Sequence, residues 1–570
     1  MYGKMHSACL YGIEGVMIGV EIDLANGLPQ TNIIGLPDSA IREAVERVRA
    51  AVKNCGYRYP QQRITINLAP ADLRKEGSAF DLAIALGILI TSGQLIMPSA
   101  NEVLFIGELA LDGSLRPVSG VLPMVEAARK NGFKAVLLPE GNAAEAALIS
   151  GINVYAIDHL RALPNSGEPQ SNTALGIKEE GEKMLQEGGV SAEVPSLSSL
   201  PFPVSVSRGM DANERPPVLA LSLEHLKYTP VYSTSEASSF VLNEMLDDYS
   251  DVLGQQHVKR ALTIAAAGMH NILLIGPPGT GKTMLIKRLP SILPQLSESE
   301  ALDVTKIFSA AGNLKDAHNG LLRSRPFRSP HHTISAAGLI GGGGIPKPGE
   351  VSLAHRGILF LDELPEFSRN VLEVLRQPLE DGVVTISRAR ASFTYPAKFM
   401  LAGSMNPCSC GFFSSGISQQ NCTCSPARIA QYRAKISGPL LDRIDLQVEV
   451  PRPKEWDRQG HVLSSAEMRM KVMAAQAIQD KRYKCLPISW NSELSGASLR
   501  RYASLSREGS QLLHDILENL GLSMRAHDRI IKLSRTIADL EGAQDITTAH
   551  LAEAVQYRIL DRQAMVEELS

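Results

Sequence analysis

Two short runs dominate the pattern of apolar and polar positions. NILLIG at 271–276 and GILFLDE at 357–363 are apolar on successive residues, which suits strands buried on both faces of a central parallel sheet. The helical run QQHVKRALTIAAAG (255–268) precedes the first of them, so residues 239–452 are predicted to form an α/β unit. Nearer the N-terminus, β-rich runs such as RITINLA (63–69) and KAVLLP (134–139) alternate with helical runs such as SAIREAVERVRAAVKNCG (39–56). Gly56 and Gly132 stand where those helices should end, since glycine accepts the left-handed conformation of a helix C-terminus. Residues 1–160 therefore read as a separate α/β domain. Between 161 and 238 the periodicity fades into Ser, Pro, Glu and Gly, a composition too poor in apolar surface to offset its ordering entropy, and the segment reads as a linker. From 453 to 570 the pattern is helical, as in GLSMRAHDRIIKLSRTIADLEG (521–542), and predicts a helical lid. No tandem repeat of fixed period is visible.

Composition narrows the function classes. A chain of 570 residues is too long for one core, and 44% apolar with 21% charged residues is ordinary globular material. The formal net charge of -3 excludes a global basic field, so any nucleic-acid contact must be a local patch. The first residues lack a small-residue cleavage site, and no run approaches the roughly 18 apolar residues of a membrane span. A cytoplasmic chain is expected, in which thiols stay reduced. That matters for CSCGFFSSGISQQNCTC (408–424), which holds four of the seven cysteines and so points to metal or redox chemistry before disulfides.

The segment Gly276, Pro277, Pro278, Gly279, Thr280, Gly281, Lys282, Thr283 lies between a strand and a helical run, the context in which a Gly-rich loop cradles phosphates. Lys282 would reach the β- and γ-phosphates of ATP, and Thr283 would turn its hydroxyl to Mg²⁺. ILFLDE brings Asp362 and Glu363 to a strand end, Asp362 for the Mg²⁺ shell and Glu363 to orient the attacking water. Asn406, ending the apolar run FMLAGSMNP, offers an amide near the γ-phosphate. Arg443 in LLDRIDL and Arg525 in LSMRAHDR are cations that could neutralise transition-state charge.

These motifs are those of AAA+ ATPases. The run RPFRSPHHTISAAGLIGGGGIPKPGEVSLAHRGILFLDELPEF resembles the magnesium-chelatase-like branch, and with NPCSCG and SGPLLDRIDL it closely resembles the ComM/YifB family over nearly the whole chain. The resemblance implies a homo-hexameric ring with nucleotide sites between subunits. Asn406 then corresponds to sensor 1, Arg443 to a trans-acting arginine finger and Arg525 to sensor 2. It also implies action on DNA as a branch-migration helicase in natural transformation and recombination, with a protein remodeller or chelatase-type motor as alternatives.

The front segment EGSAFDLAIALG resembles the nucleophile region of Lon-type peptidase domains, S5-like in fold, with Ser78 in the serine's place. A serine needs its base, and Leu122 occupies the position that aligns with the catalytic lysine; Lys130 lies two helical turns further on. A peptidase-inactive domain is expected, with Ser78 a helix-start residue. Cys408, Cys410, Cys422 and Cys424 form two C-x-C pairs able to close a tetrahedral structural Zn²⁺ site, free or redox-active thiols being the alternative. Arg325, Arg328, His331, His332 and Lys347 flank the Gly run 341–344, a loop that either follows a phosphate backbone or is simply solvated. Phe327 in the same insert keeps a remodeller's pore aromatic in view.

Overall fold

The computed structural model describes residues 1–75, 77–163, 219–230, 247–314, 320–343, 346–388, 391–413, 422–452, 462–521 and 523–558. Most of the expected linker thus lies outside the described residues. Within it, Leu219–Ala220 pairs in parallel with Leu95–Ile96, and Leu221 and Leu223 bury their side chains in the front domain's core.

The front domain is built on β1 (Tyr2–Tyr11), β2 (Glu14–Ala25), β3 (Gln30–Ile34), β4 (Arg63–Ala69), β5 (Val103–Phe105), β6 (Ala135–Pro139) and β7 (Asn153–Ile157), in the order β7-β6-β5-β1-β2-β4-β3. Helix α1 (Ser39–Asn54) buries Ile41, Ala44, Val48, Ala51 and Val52, the stripe a 3.6-residue period places on one face. Asp38 caps it by accepting from the Ile41 amide at 2.8 Å. Helix α2 (Asp81–Thr91) is apolar all round and sits inside, where a Cβ at Gly87 would lie 2.4 Å from the Ile22 side chain. Gly56 and Gly132 follow their helices at φ +88° and +83°, the left-handed region expected of them. Helices α3 (Val121–Lys130) and α4 (Glu140–Ala146) complete the domain.

The second unit holds α5 (Gln256–Gly268), β8 (Ile272–Ile275), α6 (Lys282–Lys287), α7 (Glu298–Ala311), β9 (Phe327–Arg328), β10 (Ile358–Leu361), a hairpin of β11 (Val383–Arg388) and β12 (Ala391–Pro396), β13 (Met400–Met405) and β14 (Leu446–Glu449). The sheet β9-β10-β13-β8-β14 is wholly parallel, and every residue of β8, β10 and β13 is buried, as their unbroken apolar runs require. In such a sheet all strands share one C-terminal edge, where loops build ligand sites. Helices α8 (Ser465–Tyr483) and α9 (Met524–Leu540) pack on α5, and α10 (Thr548–Gln556) packs on α9, in a core continuous with the sheet's. Among the described residues no helix is long and apolar enough to cross a membrane.

Among the described residues the front domain touches the second unit in two places. Along α3 and α4, the buried Glu126 carboxylate meets Lys306 of α7 and Glu145 accepts from Ser309, while the Gly120 amide donates to the Ser309 carbonyl at 3.1 Å. At the tip of the β1–β2 hairpin, Tyr11 lies against Phe393 of β12 with ring centroids 4.7 Å apart, and Ile13 joins the apolar cluster around Val384, Ile386 and Tyr395.

Candidate nucleotide site

The loop after β8 wraps over the sheet's C-terminal edge. A Cβ at Gly276 would stand 2.3 Å from the Val450 carbonyl, so only glycine fits, and Gly279 and Gly281 take φ of +78° and +85°. Pro277 and Pro278 fix the turn, and Thr280 ties it by donating to the Pro277 carbonyl at 3.0 Å. Lys282 is buried, with its ammonium donating to the carbonyls of Gly276 (2.7 Å) and Pro277 (2.9 Å) and to Asn406 Oδ1 (3.2 Å). Burial lowers its pKa, and Asp362 and Glu363 oppose that shift. Lys282 opens α6, so its charge and the free amides of the helix's first turn lie at the same loop, an arrangement that receives phosphate.

Thr283 donates to Asp362 Oδ2 at 2.9 Å, and Asp362 Oδ1 accepts from Ser404 and from the Glu363 amide. A hydroxyl and a carboxylate so joined are the hard oxygen donors that suit Mg²⁺. Glu363 sits at φ +53°, a costly conformation for a residue with a Cβ, and its side chain is exposed at the mouth of the loop. Lys282, Thr283, Asp362, Glu363 and Asn406 are therefore one constellation. Sequence reading missed Ser404, whose signal was its place on the buried strand β13, two residues before Asn406, which follows the strand's end.

Arg443 and Arg525 are elsewhere. Arg443 precedes β14, whose Leu446 pairs with Ile272 at the beginning of β8, so it lies at the N-terminal edge of the sheet. Four strand residues, roughly 13 Å of rise, separate that edge from the phosphate loop. There Arg443 and Arg525 line one cavity of about 560 Å³ between the sheet and α9. Arg443 donates to the Pro439 carbonyl at 2.7 Å and pairs with Glu380.

The four cysteines converge just beyond Asn406. Their sulfurs all lie within 4.8 Å of one another, with Cys408–Cys410, Cys410–Cys422 and Cys408–Cys422 at 3.3, 3.6 and 3.7 Å. Thiolates 2.3 Å from a tetrahedral ion are about 3.8 Å apart, so the set fits Zn²⁺. All four are free thiols. Gly411 packs on the phosphate loop, where a Cβ would meet Pro278 at 2.8 Å.

The insert residues divide. Arg325, expected at a phosphate backbone, is instead buried, donating to the carbonyls of Pro294 (2.8 Å) and Arg356 (2.7 Å) and to Glu300 (3.2 Å). Arg328 is held by Glu350 through two bonds of 2.7 and 2.9 Å. Lys347 is exposed on a short hairpin. His331 and His332 stack with centroids 4.0 Å apart, and Phe327 turns toward Phe360 of the core. In the front domain, Ser78 donates to the Glu108 carboxylate. Leu122 is buried, its amide donating to Glu145 Oε1 at 3.0 Å, and Lys130 is bound to Glu126 at 3.0 Å.

A phosphate loop and Asp-Glu pair on a five-stranded parallel sheet, followed by a helical lid, define an AAA+-type ATPase. Three family models match this chain: "Magnesium chelatase, subunit ChlI" over residues 248–457, "Subunit ChlI of Mg-chelatase" over 20–142 and "Magnesium chelatase, subunit ChlI C-terminal" over 463–558. Competence protein ComM of Haemophilus influenzae is 40% identical over 569 residues, 99% of each chain. YifB of Escherichia coli is 40% identical over 98% of this chain and 97% of its own. The 38 kDa magnesium-chelatase subunit of Cereibacter sphaeroides is 24% identical over 53% of this chain and 88% of its own. The chain belongs to the ComM/YifB family of magnesium-chelatase-like AAA+ ATPases, a membership that implies ATP hydrolysis with Mg²⁺.

Proposed function

We propose that this chain is the subunit of a homo-hexameric, ATP-driven motor that acts in the cytoplasm on single-stranded or branched DNA, as a branch-migration helicase aiding strand integration in natural transformation and recombination. One observation carries the assembly. Arg443 and Arg525 share a cavity at the sheet edge opposite Lys282 and Glu363, so their charge is presented to a neighbouring copy's nucleotide. Lys282 and the loop amides hold the triphosphate. Thr283 and Asp362 hold Mg²⁺, which neutralises phosphate charge when bound. Glu363 orients water toward the γ-phosphate, Asn406 fixes that water's approach, and Arg443 of the adjacent copy stabilises the charge that develops.

The four cysteines hold one structural Zn²⁺ that braces the loop between Asn406 and Arg443. The front domain is peptidase-inactive, since Ser78 is paired with an acid and Leu122 fills the lysine's place. For DNA, the support is the name of the Haemophilus relative, a competence protein, together with the exposed Lys347. Arg328 is a weaker candidate because Glu350 already neutralises it, and Arg325 is not one. The inward turn of Phe327 weighs against a protein remodeller.

Mixing variants tests the assembly. Arg443→Ala should lose hydrolysis and regain part of it when mixed with Lys282→Ala subunits, and no recovery at any ratio would remove the trans role. For the track, ATP turnover should rise with branched DNA and fall back as salt increases. Stimulation by unfolded protein and not by DNA would sink the DNA reading.

A further inference from the structure

The cavity holding Arg443 and Arg525 contains a third guanidinium. Helix α9 places Arg529 one turn beyond Arg525, on the same face, and both line the cavity with Arg443 opposite. The Arg525 side chain is exposed and, among the described residues, makes no hydrogen bond or ion pair, with Glu380 as an electrostatic neighbour. Arg529 differs in being mostly buried: its side chain is 15% exposed, and its Nη1 is shielded from solvent without a hydrogen-bond partner. The nearest acid, Asp445, forms an ion pair with it through Oδ1 at 3.9 Å, too far for a hydrogen bond, while Asp445 Oδ2 is engaged by the Asn271 amide at 3.1 Å and by His270 at 3.4 Å. Lys532, a turn further along, is satisfied by the Ser492 carbonyl at 2.9 Å.

A buried guanidinium N–H without an acceptor is costly, and such groups point to a missing partner. An anionic acceptor fits, because Arg443, Arg525 and Arg529 converge here, the lining carries seven Lys or Arg side chains against five Asp or Glu, and Glu380 is more than half exposed and paired with Arg443. A planar fork of donors suits phosphate oxygens. We propose that Arg529 is a third phosphate-contacting residue, binding the polyphosphate of the ATP held by the adjacent copy beside Arg443 and Arg525. This rests on the trans reading of the cavity.

The test uses full-length protein. Arg529→Ala should lower kcat/KM for ATP about tenfold or more, the cost of one charge-assisted hydrogen bond. Mixing it with Lys282→Ala subunits should restore turnover, whereas mixing parental subunits with Lys282→Ala/Arg529→Ala subunits should give less turnover than mixing them with Lys282→Ala alone. In a Glu363→Gln background, sedimentation should show ATP favouring assembly over ADP. Arg529→Ala should erase that preference, and Arg529→Lys, keeping the cation, should retain part of it with an unchanged melting temperature. A purely structural role would make Arg529→Lys as damaging as Arg529→Ala and lower the melting temperature of both. Parental kcat/KM in Arg529→Ala, with Arg443→Ala still rescued by Lys282→Ala, would overturn Arg529 alone. Failure of the Arg443→Ala rescue would instead overturn the trans reading beneath it.

Discussion

Replacing Lys306 by methionine isolates the contact that docks the front domain on α7. Lys306 and Glu126 are 9% and 7% exposed, so the pair is desolvated on both sides. Removing one partner of a buried pair costs about 3–5 kcal/mol, because the other charge is left uncompensated. Glu126 keeps Lys130 at 3.0 Å, itself 58% exposed, which moves the expected cost to about 2–3 kcal/mol. That is roughly a 30- to 150-fold rise in the undocked population. Amide hydrogen exchange should speed up along α3 and α7 by that factor and stay unchanged in β8 and β10. The double variant Glu126→Gln/Lys306→Met should recover most of the loss, since replacing both charges leaves nothing unpaired. Burial pushes the Glu126 carboxyl up, but hydrogen bonds from Lys306 and Lys130 outweigh it and the net shift is down. Its contribution is therefore complete above the usual glutamate range and fades as pH falls through the lowered folded value, so the parental protein should approach the Lys306→Met exchange rates in acid. A change below about twofold in exchange, or a double variant as loose as the single, would refute the reasoning.

Lys282→Ala should abolish ATP binding or turnover, while Glu363→Gln should bind ATP and hydrolyse it at least about a hundredfold more slowly, as loss of a water-positioning group demands; parental turnover in Glu363→Gln would dismiss it as the water-orienting residue. Protein purified under reducing conditions should carry about one zinc per chain by elemental analysis, and Cys408→Ser/Cys422→Ser should lose the metal and unfold less cooperatively. Ser78→Ala should leave ATP hydrolysis unchanged, and a serine-reactive probe should not label Ser78. Lys347→Glu should weaken DNA stimulation while leaving DNA-independent hydrolysis intact; an unaltered response to DNA would move the contact to another surface.

What was legible in the sequence was what is local in the chain. The phosphate loop, the Asp-Glu pair and Asn406 each follow an unbroken apolar strand, and a parallel sheet carries all such strand ends to one edge. The four cysteines were legible for the same reason. The cavity around Arg443 was not, because residues near 271, 380, 443 and 525–532 meet only after the lid packs on α5. Arg529 stood in the same LSMRAHDR motif as Arg525, four residues on, but periodicity alone does not tell a paired arginine from an orphan. Arg325 misled because counting charges in an insert ignores the carbonyls that tertiary folding turns toward them. The short apolar run around Leu221 and Leu223 was lost inside a Ser- and Pro-rich composition, although two buried leucines are enough to fasten it to the front domain's core.

The way the hairpin tip and α3 seat on the ATPase unit bears on how the front domain can be studied. Deleting residues 1–163 would uncover Phe393, whose ring now meets Tyr11, and leave the apolar group around Val384, Ile386 and Tyr395 without Ile13. It would also strip Leu302 of its apolar neighbours and strand Lys306 without its counter-ion. A truncated motor would carry a new sticky face beside its own catalytic unit, and its failure would report on solubility before it reported on function. Point changes at Glu126, Ser309 or Tyr11 loosen the same seat while keeping it covered, and they are the cleaner instruments for asking what the front domain contributes.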